Sequence, residues 1–136
     1  MVHKGEVAMV NLLAGPKGSG KTQQMIEQAN LKAKESNGNV VFIKKTHRDT
    51  ASVAFDICMD DYPAIQNTDE YIGFLYGMCS ANHDIENIFI DGILKHADIS
   101  LENIPEFIER VKRISTECGI DFCISISAAK EELSSL

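Results

Sequence analysis

A glycine-rich segment between an apolar run and an amphipathic run constrains this chain more than any other feature of its sequence. Residues Val7–Ala14 are almost continuously apolar, and Gly15–Thr22 reads Gly-Pro-Lys-Gly-Ser-Gly-Lys-Thr. From Lys21 to about Ser36, apolar or small residues recur among Gln, Glu and Lys, and Asn37-Gly38 follows. This order predicts a strand buried on both faces, a tight loop, and a helix that begins within the glycine-rich segment.

The rest of the chain alternates between strand and helix patterns. Apolar runs predict further buried strands at Val40–Ile43, Ile88–Ile90 and Phe122–Ser127. Amphipathic stretches predict helices at Asp69–Asn82 and Pro105–Cys118. Strands that alternate with helices favour a parallel sheet between helical layers. We therefore expect an α/β, three-layer sandwich with a mostly parallel sheet, forming a single domain over residues 1–136.

The segment between residues 52 and 66 is the most ambiguous. Apolar residues alternate with others from Val53 to Met59, which favours a strand, with a helix over residues 52–61 as the alternative. Asp60–Pro63 predicts a turn, after which Ala64–Gln66 would return as a hairpin partner.

The second and third predicted helices carry signals for their ends or buried faces. Asn67 stands three residues before Glu70, the spacing of a capping box. The expected buried face of that helix consists of Ile72, Leu75, Tyr76 and Cys79. The helix that begins at Pro105 has an apolar stripe made of Phe107, Ile108, Val111 and Ile114.

Charge is distributed unevenly along this acidic chain. The net charge is −7 over 136 residues, yet residues 1–50 carry +4 and the remainder −11. The acidic balance argues against nucleic acid as a partner, since such binding needs a basic surface. The positive first third indicates a local anion site, with a chance excess of surface lysines as the alternative.

The cysteines and histidines show no ligand spacing in the sequence. The four cysteines lie in apolar stretches, and the four histidines are scattered. We interpret the cysteines as reduced core residues, which fits a cytoplasmic location. No run reaches the roughly 20 apolar residues that cross a bilayer, so no membrane partner is expected.

The glycine-rich segment has the residue types that a triphosphate requires. Glycines allow positive φ angles, and successive backbone N–H groups then face an anion, aided by the helix N-terminus. Within Gly15, Pro16, Lys17, Gly18, Ser19, Gly20, Lys21 and Thr22, the Lys21 ammonium would contact the β- and γ-phosphates, and the Thr22 hydroxyl would bind Mg²⁺. The expected ligands are ATP and Mg²⁺, and a plain strand-to-helix turn is the alternative.

On these eight residues the chain resembles the P-loop NTPase superfamily. That resemblance implies a P-loop fold and a second acidic residue at the end of a buried strand, the Walker B position. Asp91, directly after Ile88–Ile90, matches this position and would hold Mg²⁺ near Thr22. An aspartate that caps the turn before Gly92 is the alternative.

The chain departs from many members of that superfamily in its catalytic acid. Gly92 follows Asp91 where relatives often carry a glutamate, which leaves Asp49 as the candidate general base. Lys45 and Arg48 would contact phosphates or remain solvated. Relatives place a polar γ-phosphate sensor near Ser125 and Ser127, and half-buried strand serines are the alternative.

The order of motifs also resembles the RecA and thymidine-kinase branch of the superfamily. The corresponding residues are Lys44-Lys45, Asp49, Pro63-Ala64 and Asp91. The acid that would deprotonate a nucleoside hydroxyl and the zinc-bearing lasso of thymidine kinases have no counterpart.

Three functions are compatible with these motifs. The first is a weak or partner-dependent Mg-ATPase, in which Lys21 and Asp49 are catalytic. The alternatives are a kinase of a nucleoside or another small molecule, and a non-catalytic nucleotide-dependent switch. An exposed sheet edge would favour self-association or a protein partner.

Overall fold

The computed structural model describes residues 9–35, 39–47 and 56–134. In chain order the strands are β1 Val10–Gly15, β2 Asn39–Lys44, β3 Asp56–Cys58, β4 Ile85–Ile90 and β5 Asp121–Ser127. The α-helices are α1 Lys21–Glu35, α2 Thr68–Ala81, α3 Ile104–Cys118 and α4 Lys130–Ser134. Two short 3₁₀ helices cover Met59–Asp61 and Ile93–Lys95.

The five strands form one sheet in the order β1-β5-β4-β2-β3, and every strand pair in it is parallel. The strands β5 and β4 therefore lie between β1 and β2 in the sheet, although β2 follows β1 in chain order. Because parallel strands end at the same edge of a sheet, the ends of β1, β5 and β4 bring Gly15, Ser127 and Ile90 to one rim.

Helices cover both faces of the sheet. On one face α1 buries Met25 and Ala29 against the alternate strand residues Val40, Phe42 and Phe89. The opposite face holds the larger core, in which α2 and α3 pack on the other residues of the same strands. The α/β architecture with a parallel sheet between helices is thus confirmed, and the single-domain assignment stays a prediction.

Several local predictions are confirmed. Asn67 and Glu70 form the expected capping box at the start of α2. The stripe on α3 is fully buried, and Gly119 ends that helix in the left-handed conformation that its lack of a Cβ favours.

The segment from residue 52 to 66 was only partly predicted. Its strand exists as β3, but it pairs in parallel with β2, and residues 53–55 lie outside the described residues. Residues 64–66 form no strand, so the predicted hairpin is wrong. The 3₁₀ helix Met59–Asp61 follows β3 directly, where the turn was predicted.

Two burial predictions are also wrong. In the described part of the chain β1 pairs with β5 alone, and Leu12 is 43% exposed, because an edge strand has a neighbour on one side only. Tyr76 is 41% exposed, since its hydroxyl donates to Glu117 at the surface, and Tyr71 occupies the core in its place. Association at a sheet edge stays a prediction.

None of the helices in the described part of the chain has the length and apolar character that crossing a bilayer requires.

Candidate functional site

The glycine-rich loop connects β1 to α1 in a conformation that its glycines make possible. Gly18 and Gly20 have φ angles of 85° and 89°, where a side chain would be strained. The Ser19 N–H donates to the Pro16 carbonyl at 3.2 Å, which closes the turn. A Cβ on Gly15 would lie 2.8 Å from Ser19 Oγ, so alanine there would displace the Ser19 side chain from its place in the loop.

Lys21, the first residue of α1, is bent back into this loop. Its ammonium donates to the carbonyl oxygens of Gly15 at 2.8 Å and Pro16 at 2.9 Å, and its side chain is largely buried. Among residues 9–35, 39–47 and 56–134, no acidic side chain forms an ion pair with it. A buried cation that lacks a counter-charge is costly, so this site favours an anionic ligand.

The next residue contacts the end of β4 directly. Thr22 Oγ1 lies 3.1 Å from both carboxylate oxygens of Asp91, although 69 positions separate the two residues. The loop after β1 and the acid after β4 therefore meet at the rim of the sheet, as the sequence predicted for Thr22 and Asp91.

Ser125, on the strand between β1 and β4, fixes the orientation of that acid. Its hydroxyl donates to Asp91 Oδ1 at 2.9 Å and accepts from the Gly92 N–H at 2.7 Å. Ser125 is almost fully buried, and both Ser125 and Ser127 line the cavity described below. Ser125 thus positions the carboxylate, a role more specific than that of a half-buried strand serine.

A second support for Asp91 comes from His96, which the sequence analysis did not single out. His96 Nε2 lies 2.8 Å from the Asp91 carbonyl oxygen, and Nδ1 lies 3.1 Å from the Tyr71 hydroxyl. A carbonyl only accepts, so Nε2 carries the proton and Nδ1 accepts from the tyrosine. Burial lowers the pKa of His96 to about 4, despite the raising effect of the hydrogen bond to Asp91, and keeps the ring neutral at pH 7.

The loop, Thr22 and Asp91 line a cavity of about 530 Å³ at the rim of the sheet. This volume lies within the usual range of small-molecule sites, roughly 300–1,000 Å³. Lys95 from the second 3₁₀ helix also lines it. An isolated lysine without a surrounding motif gives no sequence signal, so only the fold could reveal Lys95 in this cavity.

The remaining predicted residues do not all reach this cavity. Lys45 forms an ion pair with Asp60, and the buried Lys44 pairs with Asp56 at 2.8 Å, so both cations already have acidic partners. Asp49, the candidate general base, and Arg48 lie outside the described residues.

The oxygen donors at the rim suit a hard cation. Mg²⁺ prefers oxygen ligands and usually combines one or two protein side chains with phosphate oxygens and water. Thr22 Oγ1 and the Asp91 carboxylate supply such donors side by side, and no sulfur or imidazole nitrogen lines the cavity among its described residues. Thr22 and Asp91 therefore fit Mg²⁺.

Comparison with known proteins adds no family to this geometry: no protein-family model matches the chain, and a search of curated proteins finds no significant match.

Proposed function

We propose that this chain is a P-loop protein that binds Mg-ATP between the loop Gly15–Thr22 and Asp91. The observation that carries the proposal is the 3.1 Å approach of Thr22 to Asp91 beside the buried Lys21. A metal-binding hydroxyl, a carboxylate and a helix N-terminal cation that pairs with no acid in the described part of the chain form a combination that a Mg²⁺–triphosphate complex satisfies. A plain strand-to-helix turn requires none of the three.

Hydrolysis of the bound nucleotide is the reaction that we assign to this site. Water attacks the γ-phosphorus, the bond from that phosphorus to the bridging oxygen breaks, ADP and phosphate leave, and a proton of the water is released to solvent. Lys21 and the loop N–H groups stabilise the charge on the transferring phosphoryl group, and bound Mg²⁺ would neutralise more of it.

The same cavity supports slow or partner-dependent turnover. Asp91 is the sole carboxylate among the described residues that line it, and its oxygens already contact Thr22 and Ser125. A carboxylate that holds the metal is poorly placed to activate water as well. Release of phosphate from ATP by the purified chain would indicate an ATPase. Binding of nucleotide without phosphate release would indicate a nucleotide-dependent switch.

Titration calorimetry with Mg-ATP tests the proposal through Lys21→Ala. A hydrogen bond to a charged group contributes about 1.5–3 kcal/mol, so loss of the ammonium should weaken binding roughly 10- to 150-fold. Lys32→Ala is the matched control, because Lys32 is exposed in the last turn of the same helix. Equal affinities of the wild type and Lys21→Ala would contradict the proposal.

Phosphoryl transfer to a small molecule is the second candidate function, and one observation favours it. A second cavity of about 300 Å³ adjoins the first, and Lys95 lines both. Tyr62, Gln66 and Ile65 offer this second cavity an aromatic face, an amide and an apolar wall. An acceptor bound in the second cavity and a triphosphate bound in the first would then lie on either side of Lys95.

Screening of nucleosides and other hydroxyl compounds for ATP-dependent phosphorylation tests this alternative. Tyr62→Ala should lower product formation, whereas Tyr76→Ala should not, since Tyr76 is similarly exposed but lies away from the cavity. No product above the Lys21→Ala background would remove the kinase from consideration.

A further inference from the structure

Three side chains of metal-binding type converge at the β2–β3 edge of the sheet, apart from the proposed nucleotide site. His47, Cys58 and Asp61 each present one ligand atom, and these atoms lie within 4.8 Å of one another. His47 Nε2 lies 2.8 Å from Asp61 Oδ1. The sequence shows no ligand spacing among the histidines and cysteines, yet the fold brings His47 and Cys58 together.

The parallel pairing of β2 with β3 builds this cluster. Lys44 and Cys58 are partners in register, so the residues that follow each strand run side by side. The Asp60 N–H donates to the Lys45 carbonyl at 3.1 Å, and the Cys58 thiol donates to the same carbonyl at 3.4 Å. The backbone thus fixes the thiol, while His47 and Asp61 reach the same point from the two chain segments.

The two lysines near this cluster pair with acids other than Asp61. Lys44 pairs with Asp56, and Lys45 pairs with Asp60, so the two other acids of this segment are neutralised by lysines. Asp61 faces His47 and the Cys58 thiol instead. The His47–Asp61 ion pair accounts for their contact, and the β2–β3 pairing places the Cys58 thiol within 4.8 Å of both.

Thiolate, imidazole and carboxylate together form a donor set typical of zinc. Zinc takes these ligands at about 2.3 Å, 2.0–2.1 Å and 2.0–2.2 Å in tetrahedral geometry, which places the nitrogen and oxygen ligands roughly 3.3 Å apart. The distance between His47 Nε2 and Asp61 Oδ1, now 2.8 Å, must therefore increase by about half an ångström when zinc binds. The side chains of His47 and Asp61 are 68% and 52% exposed, so both have room to make this adjustment.

We propose that His47, Cys58 and Asp61 bind one Zn²⁺, with the fourth position open to water or a ligand atom. On binding, a bond forms between sulfur and zinc, and the thiol proton of Cys58 leaves to solvent. The ion joins the segment after β2 to the first 3₁₀ helix, beside Lys45 and Asp60, which line the second cavity. The site takes a different metal from the oxygen-only site at Asp91 and does not depend on nucleotide binding.

The test uses the full chain, stripped with EDTA and dialysed against Zn²⁺ without nucleotide. Elemental analysis should find about one zinc per chain, and Co²⁺ in its place should give tetrahedral visible bands with a thiolate charge-transfer band. His47→Ala, Asp61→Asn and Cys58→Ser should each weaken zinc binding more than about 100-fold, since loss of a residue that merely supports a ligand already costs about 10- to 100-fold.

Controls separate this site from other thiols and imidazoles. His83→Ala removes an exposed histidine and Cys123→Ser a half-buried thiol elsewhere in the fold, and both should retain the metal. If the buried Cys58→Ser variant fails to fold, the two variants at exposed positions decide. No retained metal in the wild type, or wild-type zinc affinity in His47→Ala and Asp61→Asn, would overturn the proposal.

Discussion

Replacement of Ser125 by alanine tests whether this serine positions Asp91 for nucleotide binding or only stabilises the fold. The change removes the acceptor of the Gly92 N–H and a donor to Asp91 Oδ1, two contacts of 2.7 and 2.9 Å in a fully buried position. One of them involves a charged group, so the free energy of unfolding should fall by about 1.5–3 kcal/mol. In a chain of this length that lowers the melting temperature by about 5–15 °C.

The Ser125→Ala variant should also bind Mg-ATP less tightly. Without the serine the Asp91 carboxylate is free to rotate away from Thr22, which we expect to cost at least about 1 kcal/mol, or roughly fivefold in affinity. Calorimetry at a temperature well below both melting transitions measures this loss. The affinity for nucleotide without Mg²⁺ should change less, because Ser125 acts through the metal-binding acid.

Ser115→Ala provides the matched control for this experiment. Ser115 is as buried as Ser125, and its hydroxyl donates to the Ile120 carbonyl at 2.6 Å, but it lies on α3 away from the cavity. It should lose stability and keep nucleotide affinity. If Ser125→Ala behaves in the same way, Ser125 is a structural residue and our reasoning about Asp91 is refuted.

Three further predictions concern the loop, a buried histidine and a helix cap. Gly15→Ala should weaken Mg-ATP binding because its Cβ would meet Ser19 Oγ, whereas Gly73→Ala in the exposed face of α2 should leave binding unchanged and raise stability by about 1 kcal/mol in thermal melts. His96 should lower the free energy of unfolding by about 1.4 kcal/mol per pH unit as the pH drops from about 6.5 to its folded pKa of about 4. In this window the unfolded chain binds a proton that the folded chain does not, because His96 is desolvated in the fold. Denaturant titrations measure this slope, and a His96→Asn variant that keeps the full wild-type slope would contradict the prediction. Asn67→Ala should cost about 1 kcal/mol in the same titrations through loss of the capping box, and an unchanged midpoint would show that the cap contributes nothing.

The sequence allowed the framework of the site to be predicted because each part depends on local chemistry. Gly15–Thr22 has a residue pattern tied to a strand, a loop and a helix, and Asp91 ends an unmistakable apolar run. Parallel strands end at one rim, so the fold class together with the resemblance to the P-loop superfamily predicted that Thr22 and Asp91 meet there.

The predictions that failed concern features that depend on which distant segments pair or pack together. Whether residues 56–58 pair with β2 or with a following hairpin strand depends on the whole sheet, and the alternation of side chains is the same in both cases. Lys95 and His96 lie at the end of the second 3₁₀ helix, Asp61 ends the first, and Cys58 ends β3. No periodic or spaced pattern in the sequence links any of them to its partner. Only the fold brings His96 behind Asp91 and Cys58 beside His47.

A crystal structure of the chain with Mg²⁺ and a non-hydrolysable ATP analogue tests the central claim most directly. We predict that the β-phosphate accepts hydrogen bonds from the N–H groups of the loop Gly15–Thr22, that the Lys21 ammonium leaves the Gly15 and Pro16 carbonyls for the phosphates, and that Mg²⁺ lies between Thr22 and Asp91. A nucleotide bound elsewhere, or a Lys21 ammonium still on those carbonyls with the analogue bound, would contradict it.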